Sequence, residues 1–268
     1  MTAARVGVAG AGQLARMMAE AASQLGIDLA VFAFEGEEPC LPLATVAPER
    51  DLEAFARTVD VLTFDHERLD LAELERLEQL GLAVLPSSAA LRFSDKTHQR
   101  RHLRDRGLPT PSFSIVQSAD EAVSFGDGIG WPIVLKPATG GYDGKGVHVA
   151  DDAGAVRRLL SEGSPTMPWV VEELVQIEAE LAVVVVTGRD GGRVHYPAVS
   201  TVQHGGVCRE VTVPAEVAPS TRDEAESLAL EVADIVGAVG VLAVELFLVA
   251  GRLLVNEVAP RPHNSGHI

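Results

Sequence analysis

A short apolar run, Arg5-Val-Gly-Val-Ala9, empties into Gly10-Ala11-Gly12 and then into an alanine-rich stretch over 13–25. No other feature restricts the fold as much. A strand that turns on glycines straight into a helix opens a βα unit, and the strand after that helix lies parallel to the first. Gly10-x-Gly12-x-x-Ala15 also satisfies the G-x-G-x-x-G/A pattern of dinucleotide sites. Asp28 or Glu35 stands where a ribose-binding acid is expected. Taken alone, the stretch predicts a nicotinamide enzyme, so the rest of the chain has to decide.

Hydrophobic periodicity extends the βα pattern, with strands predicted at 5–9, 28–34, 59–64 and 83–85 and amphipathic helices between them, one over 71–80. That is a small open parallel sheet over 1–93. Ser94-Asp95 then caps a charged helix over 96–106, which Gly107, Pro109 and Pro111 stop. Strands at 113–116, 132–137 and 146–149, with helices after Ser118 and over 151–160, make a small α+β lid over 94–168. From 169 to 268 the texture changes to long strands at 169–173, 177–186, 194–202 and 207–213. A helix at 219–239 and a hairpin at 241–258 complete an antiparallel sheet.

The 268 residues are 47% hydrophobic, enough to bury a core divided over subdomains. No run is long and apolar enough to span a bilayer, and no leader is recognisable, so a soluble, cytoplasmic protein is expected. Cys40 and Cys208 lack the spacing of a disulfide framework or zinc site. A net charge of −16 argues against a nucleic-acid surface. It leaves small phosphorylated ligands open, since local amides and cations hold those. Nineteen Arg are spread along the chain, but the three Lys, Lys96, Lys136 and Lys145, fall in one segment. Lys is a compact point charge that Arg does not replace at a phosphate site.

Three stretches carry chemistry. "KPATGGYDGKG" (136–146) puts Lys136 at a strand end and Lys145 among four glycines, a loop able to fold over phosphates; it is no Walker loop. Asp143-Gly144 is equally a hairpin-turn signal. "WVVEELVQIEAEL" (169–181) reads as an edge offering backbone groups to an adenine at Glu172, Glu173, Leu174 and Val175, with Val175 as an apolar wall. Glu180 interrupts the apolar strand that follows, while Glu178 reads as a solvated edge charge.

"VLAVELFLV" and "LLVNEVAP" each set a carboxylate, Glu245 and Glu257, in an apolar run, which is costly unless it is paired or binds a metal. A three-residue loop, Ala250-Gly251-Arg252, sets Val249 opposite Leu253 and Glu245 opposite Glu257, and this is the register expected. A two-residue loop would set Asn256 opposite Glu245 and turn Glu257 to the other face. Opposed carboxylates need a cation, and oxygen ligands beside a nucleotide point to Mg²⁺. "APRPHNSGH" (259–267) then presents Arg261, His263, Asn264 and Ser265 on a proline-fixed turn, suited to an anionic or heterocyclic ligand. His66 in "TFDHE" ends a parallel strand, where ligands bind in open sheets. His98 and His102, four apart without a third ligand, read as a solvated face. Trp131 and Trp169 read as packing residues.

Together these motifs resemble the ATP-grasp superfamily, and within it the branch that carboxylates a purine-pathway ribonucleotide. The resemblance covers essentially the whole chain, most specifically in "GQLARM", "TFDHE", "TGGYDGKG" and "NEVAPRPHNSGH". Related formate-using transformylases carry Asp-Thr where Asn264-Ser265 stand. The resemblance implies an ATP-grasp fold preceded by a small Rossmann-like parallel-sheet domain, an α/β and α+β architecture. It implies ATP phosphates at Lys96 and Lys136 under a loop of Gly141, Tyr142, Asp143, Gly144, Lys145, Gly146 and Val147. It implies adenine at Glu172–Val175, ribose at Glu180, Mg²⁺ at Glu245 and Glu257, and Asn256 beside the nucleotide. Aminoimidazole ribonucleotide would lie among Gln13, Leu14, Glu67, Tyr142, Asp143, Arg261, His263 and Asn264.

Asp143, Arg261 and His263 would stand at the reacting groups. The reaction implied is ATP-driven transfer of bicarbonate carbon to the exocyclic amine, by a homodimer. Many members carry His where Gln203 aligns, and Gln203 or His204 takes that place. Members also continue beyond this point into a segment whose Lys and Arg grip the ribonucleotide phosphate. The 268 residues are therefore expected to be part of a longer natural chain, with an uncovered hairpin edge. The rival readings are a nicotinamide dehydrogenase, a non-catalytic nucleotide module and another ATP-grasp ligase or transformylase.

Overall fold

The structure, a computed structural model, describes residues 4–34, 45–47, 51–140, 146–161, 168–205, 207–266 and 268. Its first sheet contains β1 (Arg5–Ala9), followed by α1 (Gln13–Leu25), β2 (Asp28–Phe32) and β3 (Thr45–Val46). After α2 (Leu52–Ala56) comes β4 (Val61–Phe64), then α3 (Leu71–Gln79) and α4 (Ser88–Leu91). The order β3-β2-β1-β4 is parallel throughout. The winding reverses between β1 and β4, so a crevice opens beyond their carboxyl ends. Ala15, Ala19 and Ala22 form the buried stripe of α1, small enough to let the helix lie close over Val8 and Val31. Gly26, at φ +67°, ends that helix in the left-handed conformation glycine adopts freely. The strand expected at 83–85 amounts to one parallel bridge, Leu62 to Val84.

α5 (Lys96–Asp105) leads to the lid: β5 (Phe113–Val116), α6 (Ala119–Ile129), β6 (Ile133–Pro137), β7 (His148–Ala150), α7 (Ala153–Ser161) and β8 (Trp169–Glu173). Strand order is β5-β8-β6-β7, all antiparallel. β8 is thus an interior strand of the lid, not the start of the next subdomain as the boundary at 168/169 supposes. It follows that Glu172 and Glu173 are no free edge: β5 and β6 flank them, and the Glu173 N–H is donated to the Ser112 carbonyl.

The large sheet holds β9 (Ala179–Thr187), β10 (Arg193–His195), β11 (Val199–His204), β12 (Val207–Thr212), α8 (Pro219–Val236), β13 (Gly240–Val249) and β14 (Arg252–Ala259). Its order is β12-β11-β9-β13-β14, with β10 beside β9. The single strand expected at 194–202 is broken at Pro197, which has no N–H for the ladder, and both pieces pair along β9. α8 covers one face, over Leu181, Val183, Leu242, Val244, Leu246, Val255 and Val258. Phe93 and Leu103 of the α5 region join that core, so α5 belongs with the large sheet rather than with the lid. The outer edge at β14 is shielded: the Val255 N–H reaches the Pro109 carbonyl, and Gln99 and Arg100 donate to the Val258 and Asn256 carbonyls.

The hairpin corrects the expected loop. Val249 faces Arg252 across a two-residue turn, Ala250-Gly251, whose φ values of 49° and 72° suit the twist of tight hairpins. Leu246 then faces Val255, yet Glu245 faces Glu257, because a β-bulge absorbs one residue at Asn256. The expected pairing stands, but the loop does not produce it. The bulge also sends two consecutive side chains, Asn256 and Glu257, to the face opposite α8, while Val255 and Val258 stay in the core.

Candidate active site

That opposite face looks onto a cavity of about 470 Å³ between the large sheet and the lid. Its lining includes Val134, Val147, Val149, Leu174, Ile177 and Phe247 on the apolar side, and Glu180, Gln203 and Cys208 on the other. Leu174 is 47% exposed and Ile177 43%, so an apolar slot stands open to a planar ligand. Past Glu173 the chain crosses from β8 to β9, and there Leu174 and Val175 leave the ladder. Of the four residues 172–175, only these two have their backbone outside the strand ladder.

Charged groups close the cavity floor. Lys136 Nζ lies 2.7 Å from Glu172 Oε2 and donates to Asn256 Oδ1 at 3.2 Å. Arg100 Nε donates to the other Glu172 oxygen at 2.5 Å. Arg100 and Glu172 are each 2% exposed and Lys136 8%. Burial, the largest influence on Glu172, would raise its carboxyl; Arg100 and Lys136 together overcome this and hold it at about 2. Burial lowers Lys136, and because Glu172 is shared with Arg100 it only partly compensates. The side chain of Glu172 is thus a buried counter-ion, while its neighbour Glu173 accepts from the Ser112 N–H at 2.7 Å.

Lys96, at the start of α5, donates to Glu257 Oε1 at 3.0 Å. Burial opposes both charges, and each prevails through the other: Lys96 is raised and Glu257 lowered. Glu245 Oε2 accepts from Asn256 Nδ2 at 3.2 Å, and Glu245 Oε1 lies 3.2 Å from His263 Nε2. The Ser265 N–H donates to His263 Nδ1 at 3.3 Å, so Nε2 is the ring nitrogen that faces Glu245. Burial and Glu245 both raise Glu180. Among the described residues no group of three or more His, Cys, Asp or Glu is placed to hold a metal unaided. Two opposed carboxylates with only oxygen donors do fit Mg²⁺, which takes one or two carboxylates and completes its shell with phosphate and water.

A second cavity, about 720 Å³, occupies the crevice at the β1/β4 switch point. Gly12, Gln13 and Leu14 enter it from one loop, Asp65, His66, Glu67 and Arg68 from the other. Asp65, 4% exposed, accepts from the Gly12 N–H at 2.8 Å. A Cβ on Gly10, whose φ is +114°, would stand 1.7 Å from Asp65 Oδ1, and one on Gly12 2.9 Å from Oδ2. Both glycines therefore make room for a carboxylate where a dinucleotide fold makes room for pyrophosphate. An anion in that place repels another, so the nicotinamide reading fails. Asp28, at the opposite end of β2, pairs with Arg5 at 3.4 Å.

The two cavities meet. Glu67, Arg261, His263 and Asn264 line both, and Arg261 Nε lies 3.0 Å from Glu67 Oε1. Burial raises Glu67, with Arg261 opposing. Nearly all the expected site residues thus gather on one continuous space: Gln13, Leu14, Glu67, Lys96, Lys136, Gly146, Val147, Glu172, Glu173, Leu174, Val175, Glu180, Gln203, Glu245, Asn256, Glu257, Arg261, His263 and Asn264. Of the two candidates Gln203 and His204, it is Gln203 that lines the cavity. Gly141, Tyr142, Asp143, Gly144 and Lys145 lie outside the described residues, as do Glu35 and Cys40. His98 and His102 stack at 3.9 Å beside Phe93, away from both cavities, and Trp169 is buried in the lid core. Sequence reasoning missed Arg100 and Asp65. A glycine pair that needs a filler could have pointed to Asp65; nothing local marks Arg100.

This architecture, a cavity lined by lysines and glutamates between a lid sheet and a larger antiparallel sheet, is that of an ATP-grasp domain. The family model for the ATP-grasp domain matches residues 101–268, and that for the ribonucleotide synthetase preATP-grasp domain matches 3–95. The chain is 39% identical to N5-carboxyaminoimidazole ribonucleotide synthase of Synechococcus elongatus, over 98% of this chain and 68% of that one. It is 41% identical to the synthase of Mycobacterium bovis, over 98% of this chain and 63% of that one. The Aspergillus clavatus synthase solved with ADP and 5-aminoimidazole ribonucleotide superposes with a TM-score of 0.86 at 30% identity, covering 99% of this chain and 72% of that one. The chain therefore belongs to the N5-carboxyaminoimidazole ribonucleotide synthase family, and it spans 63% and 68% of the two curated relatives above.

Proposed function

We propose that the chain catalyses, or supplies most of the site for, ATP- and bicarbonate-dependent carboxylation of aminoimidazole ribonucleotide. The observation that carries this is the junction at Glu67, Arg261, His263 and Asn264 between an apolar-walled cationic cavity and a second one at the sheet switch point. In this reading the first cavity takes ATP. Lys96 and Lys136 meet the phosphates beside Gly146 and Val147, and Glu180 takes the ribose. Leu174 and Val175 offer backbone to the adenine, with Glu172 and Glu173 fixing the strand beneath. Glu245 and Glu257 would hold Mg²⁺, with Asn256 between them; when bound, the metal neutralises charge developing on the phosphates.

The second cavity takes the ribonucleotide on Gln13 and Leu14. Its amine would reach the junction, where Arg261, His263 and Asn264 hold bicarbonate and then carboxyphosphate. Glu67 holds Arg261 in place, and His263, beside Glu245, lines the same junction. Cleavage of the carboxyphosphate C–O bond would release phosphate and CO₂ at the junction; the amine nitrogen would then bond to the CO₂ carbon and lose a proton to solvent, giving the carbamate before the labile intermediate meets water. Among the described residues no helix is long and apolar enough to cross a membrane. A cytoplasmic homodimer is the setting proposed, and sedimentation velocity checks its oligomeric half. The decisive assay is ADP release. It should require bicarbonate and aminoimidazole ribonucleotide together, and release indifferent to the ribonucleotide would overturn the proposal.

A further inference from the structure

Arg100 heads the fully buried side chains by volume, on a helix whose other arginines, Arg101 and Arg104, face solvent. Its guanidinium joins three elements. Nε donates to Glu172 on β8 at 2.5 Å, Nη1 to Gln99 Oε1 at 3.2 Å, and Nη2 to the Asn256 carbonyl on β14 at 2.8 Å. Both ends of this fork lead to the cavity floor. Glu172, held on one oxygen by Arg100, holds Lys136 Nζ on the other at 2.7 Å. Asn256 is the bulged residue, and its side chain bridges Lys136 and Glu245. The helix is itself fixed to the end of the lid strand, since the Lys96 N–H is donated to the Ala138 carbonyl at 2.8 Å.

We infer that Arg100 is the positioning residue of the nucleotide cavity. Through Glu172 it aims Lys136, and through the Asn256 carbonyl it holds the bulge that presents Asn256 and Glu257 side by side. Arginine suits the task because its rigid planar fork serves acceptors on two strands at once and keeps its charge when buried; a lysine ammonium has no such fork. A purely structural counter-ion to Glu172 would have no need of the second bond to the bulge. The inference rests on the proposed occupancy of this cavity by a nucleotide, with its phosphates at Lys136.

The test uses the whole chain and two variants, Arg100→Lys and Arg100→Met, with thermal melting and calorimetry for Mg-ADP and for adenosine. A positioning role predicts a split between the two ligands, since only ADP carries phosphates to Lys136. Arg100→Met should weaken Mg-ADP about thirtyfold and Arg100→Lys about tenfold, with adenosine changed less than about threefold in each. Equal losses for both ligands, or Mg-ADP binding within about twofold of wild type in a folded variant, would overturn the inference. Arg100→Lys keeps the charge and decides alone if Arg100→Met does not fold. Wild-type protein that fails to bind Mg-ADP would instead strike the nucleotide reading itself.

Discussion

In the smaller cavity the charges are already paired before any ligand arrives: Lys136 with Glu172, Lys96 with Glu257, His263 beside Glu245. The larger cavity, at the end of the parallel sheet, presents the start of α1, which has no side-chain cap, and loop side chains, while Asp65 takes the Gly12 amide. One is preorganised by buried electrostatics, the other by the backbone. Buried pairs are expensive to break, so damage to the first should be large and felt in stability as well as in binding. Backbone donors survive most substitutions, so single changes in the second should be milder.

The largest effect is expected at the carboxylates. Glu245→Gln and Glu257→Gln should each lower turnover about 10³-fold or more while the fold persists, a loss on the scale of one transition-state electrostatic contact. Steady-state kinetics across a Mg²⁺ titration checks it; near-normal rates at limiting Mg²⁺ would remove these two residues from the metal. Glu257→Gln should also lower the melting temperature more than Glu245→Gln, because it leaves the partly buried Lys96 ammonium without its carboxylate.

Next comes Glu172→Gln, expected to cost about 3 kcal/mol or more of stability by leaving Arg100 and Lys136 without their anion. Glu172 sits at about 2 in the folded protein, below the ordinary 4.5 of the unfolded chain. Its contribution is therefore complete above about pH 4.5 and fades as the pH falls toward 2. Denaturant melts from pH 6 down to pH 3 should show a steeper acid limb for wild type than for the glutamine variant. Parallel limbs would contradict the buried-anion account.

Lys136→Met should weaken Mg-ADP about thirtyfold, in the range of a charge-assisted contact, and leave the ribonucleotide untouched. Gln13→Ala, the mildest, should weaken the ribonucleotide about fivefold, the worth of one ordinary hydrogen bond, and leave Mg-ADP untouched. Calorimetry of each variant with each ligand draws the boundary between the cavities. If both substitutions weakened the same ligand, the two-cavity division would be wrong.

What the sequence determined by itself was local. β1, α1, β5 and β8 lie where the patterns put them, because apolar periodicity, glycine turns and caps such as Ser118 act within a few residues. Residues that line the two cavities were legible too, since glutamates in apolar strands and a lysine beside a glycine loop are anomalies that need no partner to be seen. What only the tertiary structure decided was which of these groups answer to each other. Arg100 sits among arginines in "HQRRHLRDR", and packing against β8 and β14 alone buries it while Arg101 and Arg104 stay outside. The turn at Ala250-Gly251 would have put Glu257 on the wrong face, and a bulge five residues on restored it. Gly10 and Gly12 read as room for pyrophosphate until Asp65, 53 residues after Gly12, filled the space. Pairings over such distances are set by the free energy of the whole core, and no stretch of the chain short enough to read as a motif contains it.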